Sequence, residues 1–208
     1  MNQPPPETSQ EEAPIEEPAF SPEPSPDFIW QRPWTWLQVA LAALSSPRKY
    51  FRGLTPARGL AAPLVFLLIT QIFYSLGPAF LAVEVNPLVL QLKALIWGFS
   101  QALFMAVVIF LVARRIMKSP LRLDQALRAF AYGGAVWALY FVAQLLPGMF
   151  APLYLVAMVG VHFYLMMVGL VEMGDMSMPL AAACQLIAMV VLFLVMLLLN
   201  QLAVTTAV

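Results

Sequence analysis

Five polar side chains interrupt long apolar runs: Gln71, Gln101, Gln144, His162 and Asn200. A polar group in such a run is costly in lipid unless a neighbour satisfies it, so each marks a candidate site. Amides and a lone imidazole offer hydrogen bonds. They do not make a proton relay, because no Asp, Glu, Lys or Arg lies deep in these runs beside His162. One histidine is also too few for a transition metal, which takes three or four N, O or S ligands. The chain has no Cys/His cluster, Gly-rich phosphate loop or Ser-His-Asp set. These residues therefore imply no enzymatic activity and no cofactor. Two uses remain. Such groups ordinarily join helices, at about 0.6 kcal/mol per contact. Alternatively Gln101, Gln144 and Asn200, at similar depth, line a polar pocket open to the outside, with Gln71 and His162 as its floor.

The elements that must hold these residues are set by composition. The 208 residues are 62% hydrophobic and 11% charged, where soluble domains carry about 25% charged residues. A soluble core cannot bury so much apolar surface, so lipid must cover it. A hydrocarbon layer about 30 Å thick needs about 20 apolar residues per helix. Five runs of that length are expected as spans: about 62–82, 94–113, 128–146, 152–171 and 180–201. Open sheets cannot cross lipid, so the spans are helices. Residues 58–203 thus form the transmembrane domain. Residues 1–27 are acidic and Pro-rich, with too little apolar surface to order them, and are expected as a disordered tail. Residues 28–57 place Trp34, Leu37, Leu41 and Leu44 at helical spacing with Arg48, Lys49 and Arg52 nearby. Tryptophan and basic side chains favour the headgroup level. We read a short amphipathic helix lying in the interface; the alternative is the first turns of a packed bundle helix. The expected fold is all-α: five transmembrane helices, an interfacial helix and a disordered tail.

Charge orients the bundle. Arg48, Lys49, Arg52 and Arg58 precede the first span, and Arg114, Arg115, Lys118, Arg122 and Arg128 lie between the second and third; Lys93 alone lies between the first and second. The positive-inside rule puts the N-terminus in the cytoplasm and the C-terminus outside. The bases, with Glu172 and Asp175 in the connector after the fourth span, form an expected cytoplasmic face. Its bland use is an ion-pair belt, with Asp124 among the bases, plus contact with the anionic leaflet, on the order of 1 kcal/mol per base; its sharper use is docking a cytoplasmic protein. No nucleic-acid partner is expected. Small residues repeat at i, i+4 (Ala129 and Gly133, Ala131 and Ala135, Gly134 and Ala138). They allow close helix approach, either inside the bundle or between two copies in a homo-oligomer.

The order of these features resembles the Yip1-domain family of small multi-pass membrane proteins, in its prokaryotic form. The residues that carry the resemblance are Trp36-Leu37, Ser46-Pro47-Arg48-Lys49-Tyr50-Phe51, Leu127-Arg128-Ala129-Phe130-Ala131-Tyr132, the Pro147-Gly148 break, Val168-Gly169-Leu170 and Met176-Ser177-Met178-Pro179-Leu180-Ala181. The resemblance implies a non-enzymatic protein of a prokaryotic cytoplasmic membrane that organises membrane or serves as an adaptor. The alternative function is a translocator of a small molecule, ion or lipid, using the intramembrane polar band.

Overall fold

The computed structural model describes residues 27–54, 59–81 and 86–206, with side chains except at 78–81, 144 and 200–206. The expected tail therefore lies outside the described residues, apart from Asp27. The described chain is helical throughout its ordered elements. Helices α1 (Thr35–Ser45) and α2 (Pro47–Gly53) precede α3 (Ala61–Leu81). Helix α4 (Pro87–Leu111) continues into a π-helical turn, Val112–Ile116. Helix α5 (Leu123–Gly133) passes through a 3-10 stretch, Gly134–Leu139, into α6 (Tyr140–Leu145). Helices α7 (Phe150–Gly174) and α8 (Met178–Thr206) follow. Among the described residues four helical stretches are long and apolar enough to cross a membrane: Pro87–Ile116, Leu123–Ala143, Phe150–Gly174 and Met178–Leu199. Helix α3 is apolar over the shorter stretch Ala61–Gly77.

The helix ends follow local chemistry. Asn86 accepts from the Leu88 N–H at 3.0 Å, and Pro87 takes the first helical position, where no N–H is needed. So α4 begins earlier than the expected residue 94, and Lys93 lies on the helix, not in a connector. Helix α5 starts at Leu123 because Gln125 Oε1 accepts from the Arg122 N–H at 2.9 Å. Asp124 adds a negative charge in the first turn, which the helix dipole favours. Leu146 turns extended ahead of Pro147, ending α6. The expected third span is thus broken near its middle, where Gly133 and Gly134, poor helix formers, sit together.

The interior is built around α5. Ala126, Leu127, Arg128, Ala129, Ala131 and Tyr132 are all buried. A Cβ on Gly169 of α7 would lie 2.9 Å from Ala129 Cβ and 3.2 Å from Ala129 Cα, so these two backbones approach closely there. Gly133 likewise faces Met166 and Leu165 of α7. Of the two uses of the small-residue repeat, this contact is the internal one.

The segment before α3 is part of this core. Phe28, Val39, Ala40, Ala43, Tyr50 and Phe51 are buried with Phe66, Leu67, Tyr132 and Val168. Phe66 anchors the cluster, with ring centroids 5.5 Å from Phe28, 5.6 Å from Trp36 and 4.8 Å from Tyr132. Trp36 Nε1 donates to Thr70 Oγ1 at 3.1 Å. The small face of α1 packs inward, while Trp30, Trp34, Leu37 and Leu41 are exposed. The segment expected to lie in the interface is therefore packed on the bundle along one side, with Phe28, Tyr50 and Phe51 buried and Trp30, Trp34, Leu37 and Leu41 outward.

Gly169→Ala should lower unfolding stability in detergent by about 2 kcal/mol, since α5 and α7 must separate to admit the methyl. Gly160→Ala, on the same helix with nothing within 4 Å of its Cβ position, should be neutral or stabilising by up to about 1 kcal/mol. Equal effects of the two substitutions would refute the close approach.

Candidate functional site

Two regions gather the sequence candidates. The first is the end of the bundle that holds α2, the π-helical turn, the start of α5 and the end of α7. Arg48, Lys49, Arg52, Arg114, Arg115, Lys118 and Asp175 are exposed. Arg122 is half-buried and pairs with Asp124 at 2.7 Å. Glu172 is not in a connector: it occupies the last turn of α7, and Arg52 grips it through two nitrogens, at 2.9 and 3.2 Å. That hydrogen bond raises the Arg52 pKa further above its ordinary value. Glu172 is thus engaged within the chain, joining α2 to α7. Asp175 adopts the left-handed conformation that ends α7, with φ 52°, a conformation in which Asp is enriched among non-glycine residues.

Ser119 Oγ donates to Gly174 O at 2.5 Å and accepts from the Leu121 N–H at 3.2 Å, tying the α4–α5 connector to α7. Below it lies a buried polar cluster. Asp27 accepts from Tyr132 Oη at 2.7 Å, from its neighbour's Phe28 N–H at 2.8 Å and from Arg128 Nη2 at 3.2 Å. Arg128 is only 4% exposed, and a guanidinium at such burial needs an opposite charge. Asp27, expected as the last residue of a disordered tail, supplies it. Tyr50 Oη is buried beside this cluster with no hydrogen-bond partner among the described residues. Burial, and then the Asp27 charge, push its pKa well above the ordinary phenol value.

The second region is a cavity of about 340 Å³ inside the bundle. It brings together Gln71 from α3, Gln101 from α4 and His162 from α7. These are three of the five candidates; the side chains of Gln144 and Asn200 lie outside the described residues. The cavity also takes Gln185 from α8. Gln185 lies inside the expected fifth span, and the rule that singles out Gln71 would find it as well. The 3-10 stretch after α5 supplies Gly134 and Trp137.

Two of these polar residues make interhelical bonds. His162 Nδ1 lies 3.1 Å from Gly133 O. A carbonyl only accepts, so Nδ1 carries the proton and Nε2 is the acceptor of the neutral ring. Phe130 and Trp137 stand edge-on to the imidazole, 5.4 and 5.8 Å between centroids. Gln185 Nε2 donates to Phe163 O at 3.3 Å. The joining role anticipated for such residues thus accounts for one bond of each.

Gln71 is different. Its side chain is 8% exposed, and its Oε1 has no hydrogen-bond partner among the described residues. The oxygen rests against Gly98 of α4, where an added Cβ would overlap it. A buried acceptor left unmade costs about 1–3 kcal/mol. Among the described residues no Asp, Glu, Lys or Arg lines the cavity, and no group of three His, Cys, Asp or Glu could hold a metal ion. What the arrangement can do chemically is form hydrogen bonds in an apolar enclosure.

Gly98→Ala should displace the Gln71 amide and cost about 1 kcal/mol, the low end for overpacking because the displaced group is a flexible side-chain tip. A double-mutant cycle with Gln71→Ala should show coupling of about 1 kcal/mol, read from unfolding in detergent; strict additivity would mean the two residues do not meet. No protein-family model, no curated protein and no solved structure matches this chain.

Proposed function

We propose that the chain is a five-span integral membrane protein that holds a small molecule between its helices at bilayer depth. One observation carries this reading: Gln71, whose buried amide oxygen has no partner among the described residues, lines a 340 Å³ cavity. Ligand pockets run from about 300 to 1,000 Å³ and pair apolar walls with a few placed polar groups. Helix α3 is the fifth crossing, since its 21 residues span roughly 31 Å at 1.5 Å per residue. The basic end faces the cytoplasm, by the positive-inside rule, and the exposed Trp30, Trp34, Leu37 and Leu41 of the packed N-terminal segment face the adjoining leaflet. In this reading the protein is non-enzymatic and binds its ligand for storage or translocation.

The test is thermal. A ligand present at 100 times its Kd stabilises by about 2.7 kcal/mol. A lipid extract or a water-soluble metabolite fraction from the source membrane should raise the Tm of the detergent-purified protein. The rise should shrink in Gln101→Leu and His162→Leu. If neither fraction moves the Tm, the cavity is not a binding site.

The basic end favours a second reading, the Yip1-type adaptor. Arg48, Lys49, Arg114, Arg115 and Lys118 are exposed together there, a surface suited to anionic lipid and to an acidic partner. In that reading the acidic segment 1–26 contributes to partner capture. Affinity capture should compare the full chain with one beginning at Asp27, which keeps the Arg128 pair. Loss of a specific partner from the shorter chain supports the adaptor; identical capture removes the segment from any role.

A further inference from the structure

Resting on the reading of the cavity as a binding site, we infer that its ligand is a neutral lipid with a free hydroxyl, which enters sideways from the bilayer between α4, α7 and α8. The mouth is visible in three residues. Trp97 of α4, Val159 of α7 and Met189 of α8 line the cavity, yet they are 55%, 45% and 46% exposed. Side chains that do both mark where the cavity meets the surface, and on these helices that surface faces hydrocarbon. Met189 lies roughly 16 Å along α8 from Met178 at the helical rise, about half-way through a hydrocarbon layer of about 30 Å.

The gap has a physical origin. Helix α8 buries Ala181, Cys184, Gln185 and Ala188 near the basic end, and none of its described side chains beyond them. Helix α4 buries nothing before Ala102, and α7 nothing between Met158 and Leu165. The three helices are packed together at one end and loose at the other. The gap between them therefore opens to lipid rather than to water.

The walls select the chemistry. With no Asp, Glu, Lys or Arg among the described residues that line the cavity, an ionised headgroup would be buried without a counter-charge. The ligand is therefore neutral. Gln71 Oε1 needs a donor, which a bare hydrocarbon, an ester or an ether cannot give. A hydroxyl both donates and accepts, so it satisfies the Gln71 amide in either orientation. The remaining surface, with Met105, Met166, Met189 and Leu192, suits a hydrocarbon chain, and methionine adapts readily to its shape. The cavity takes the head and the first part of a chain, and the rest lies out through the mouth.

The experiment uses the full chain in phosphatidylcholine nanodiscs, with Trp97 and Trp137 as internal reporters. A bromine-labelled diacylglycerol should quench their fluorescence saturably, judged against a Trp97→Phe, Trp137→Phe variant. Capping its hydroxyl as the methyl ether should weaken binding about tenfold, the loss expected for an unmade buried hydrogen bond. Gln71→Leu should lose a similar factor for the alcohol and none for the ether. Should Gln71→Leu fold poorly, the alcohol-to-ether ratio on the unaltered protein decides alone. Equal binding of alcohol and ether, or quenching that only follows the mole fraction of brominated lipid, overturns the inference. A charged brominated fatty acid or a water-soluble compound that binds better overturns the ligand class and leaves the cavity as a site. No saturable quenching by any probe, together with an unmoved Tm, overturns both.

Discussion

The burial of α5 is the constraint on which the rest of this protein depends. A helix enclosed on nearly every side can only be approached through small residues. Ala129 and Gly133 meet Gly169 and Met166 of α7 for that reason. The same enclosure traps Arg128, whose charge cannot stay in an apolar interior without a counter-charge. Asp27 answers it at 3.2 Å and takes the Tyr132 hydroxyl at 2.7 Å. This polar demand draws the start of the described chain into the bundle. Phe28, Trp36 and Tyr50 then pack round Phe66 and Tyr132, and the pre-span segment becomes part of the core.

The two ends of the bundle differ because α5 does not continue as one regular helix. On the basic side it is α-helical and closely surrounded, and Ser119, Arg52 and Glu172 bind connectors to helix ends. Past Gly133 it tightens into a 3-10 stretch and then ends at Leu145. The outer halves of α4, α7 and α8 lose a central element to pack against. Their large apolar residues, such as Leu92, Val156 and Leu194, point outward. The cavity forms at that change of packing, lined by Gly134 and Trp137 on one side and by the loose helices on the other.

Three polar residues of the cavity, His162, Gln185 and Gln71, fall into two kinds. His162 and Gln185 spend a hydrogen bond on a neighbouring helix, which holds the walls in place. Gln71 has its oxygen buried against Gly98 without such a bond. Only the second kind gives a ligand something to gain, because an interaction already made inside the protein cannot also reward binding. The basic end, by contrast, is a surface of exposed charges: Arg48, Lys49, Arg114, Arg115 and Lys118.

The apolar runs and their lengths are enough to identify helices that cross a membrane, because a period and a length are local properties. The unusual polar residues were equally legible: Gln71, Gln101 and His162 meet in one cavity, and Gln185 follows from the same rule. Short-range pattern could not show that Asp27 pairs with a residue about a hundred positions away, or that Glu172 is engaged by Arg52. Nor could it show that α1 buries Val39, Ala40 and Ala43 while Trp34, Leu37 and Leu41 stay exposed. An amphipathic helix is normally read by its bulky apolar face, whereas here the inward face is Val39, Ala40 and Ala43, chosen for close approach. Sequence by itself determined that the chain is helical, with helices long and apolar enough to cross a membrane. Tertiary structure decided which amide stays unpaired and where the bundle opens, since both depend on what other helices place beside a residue.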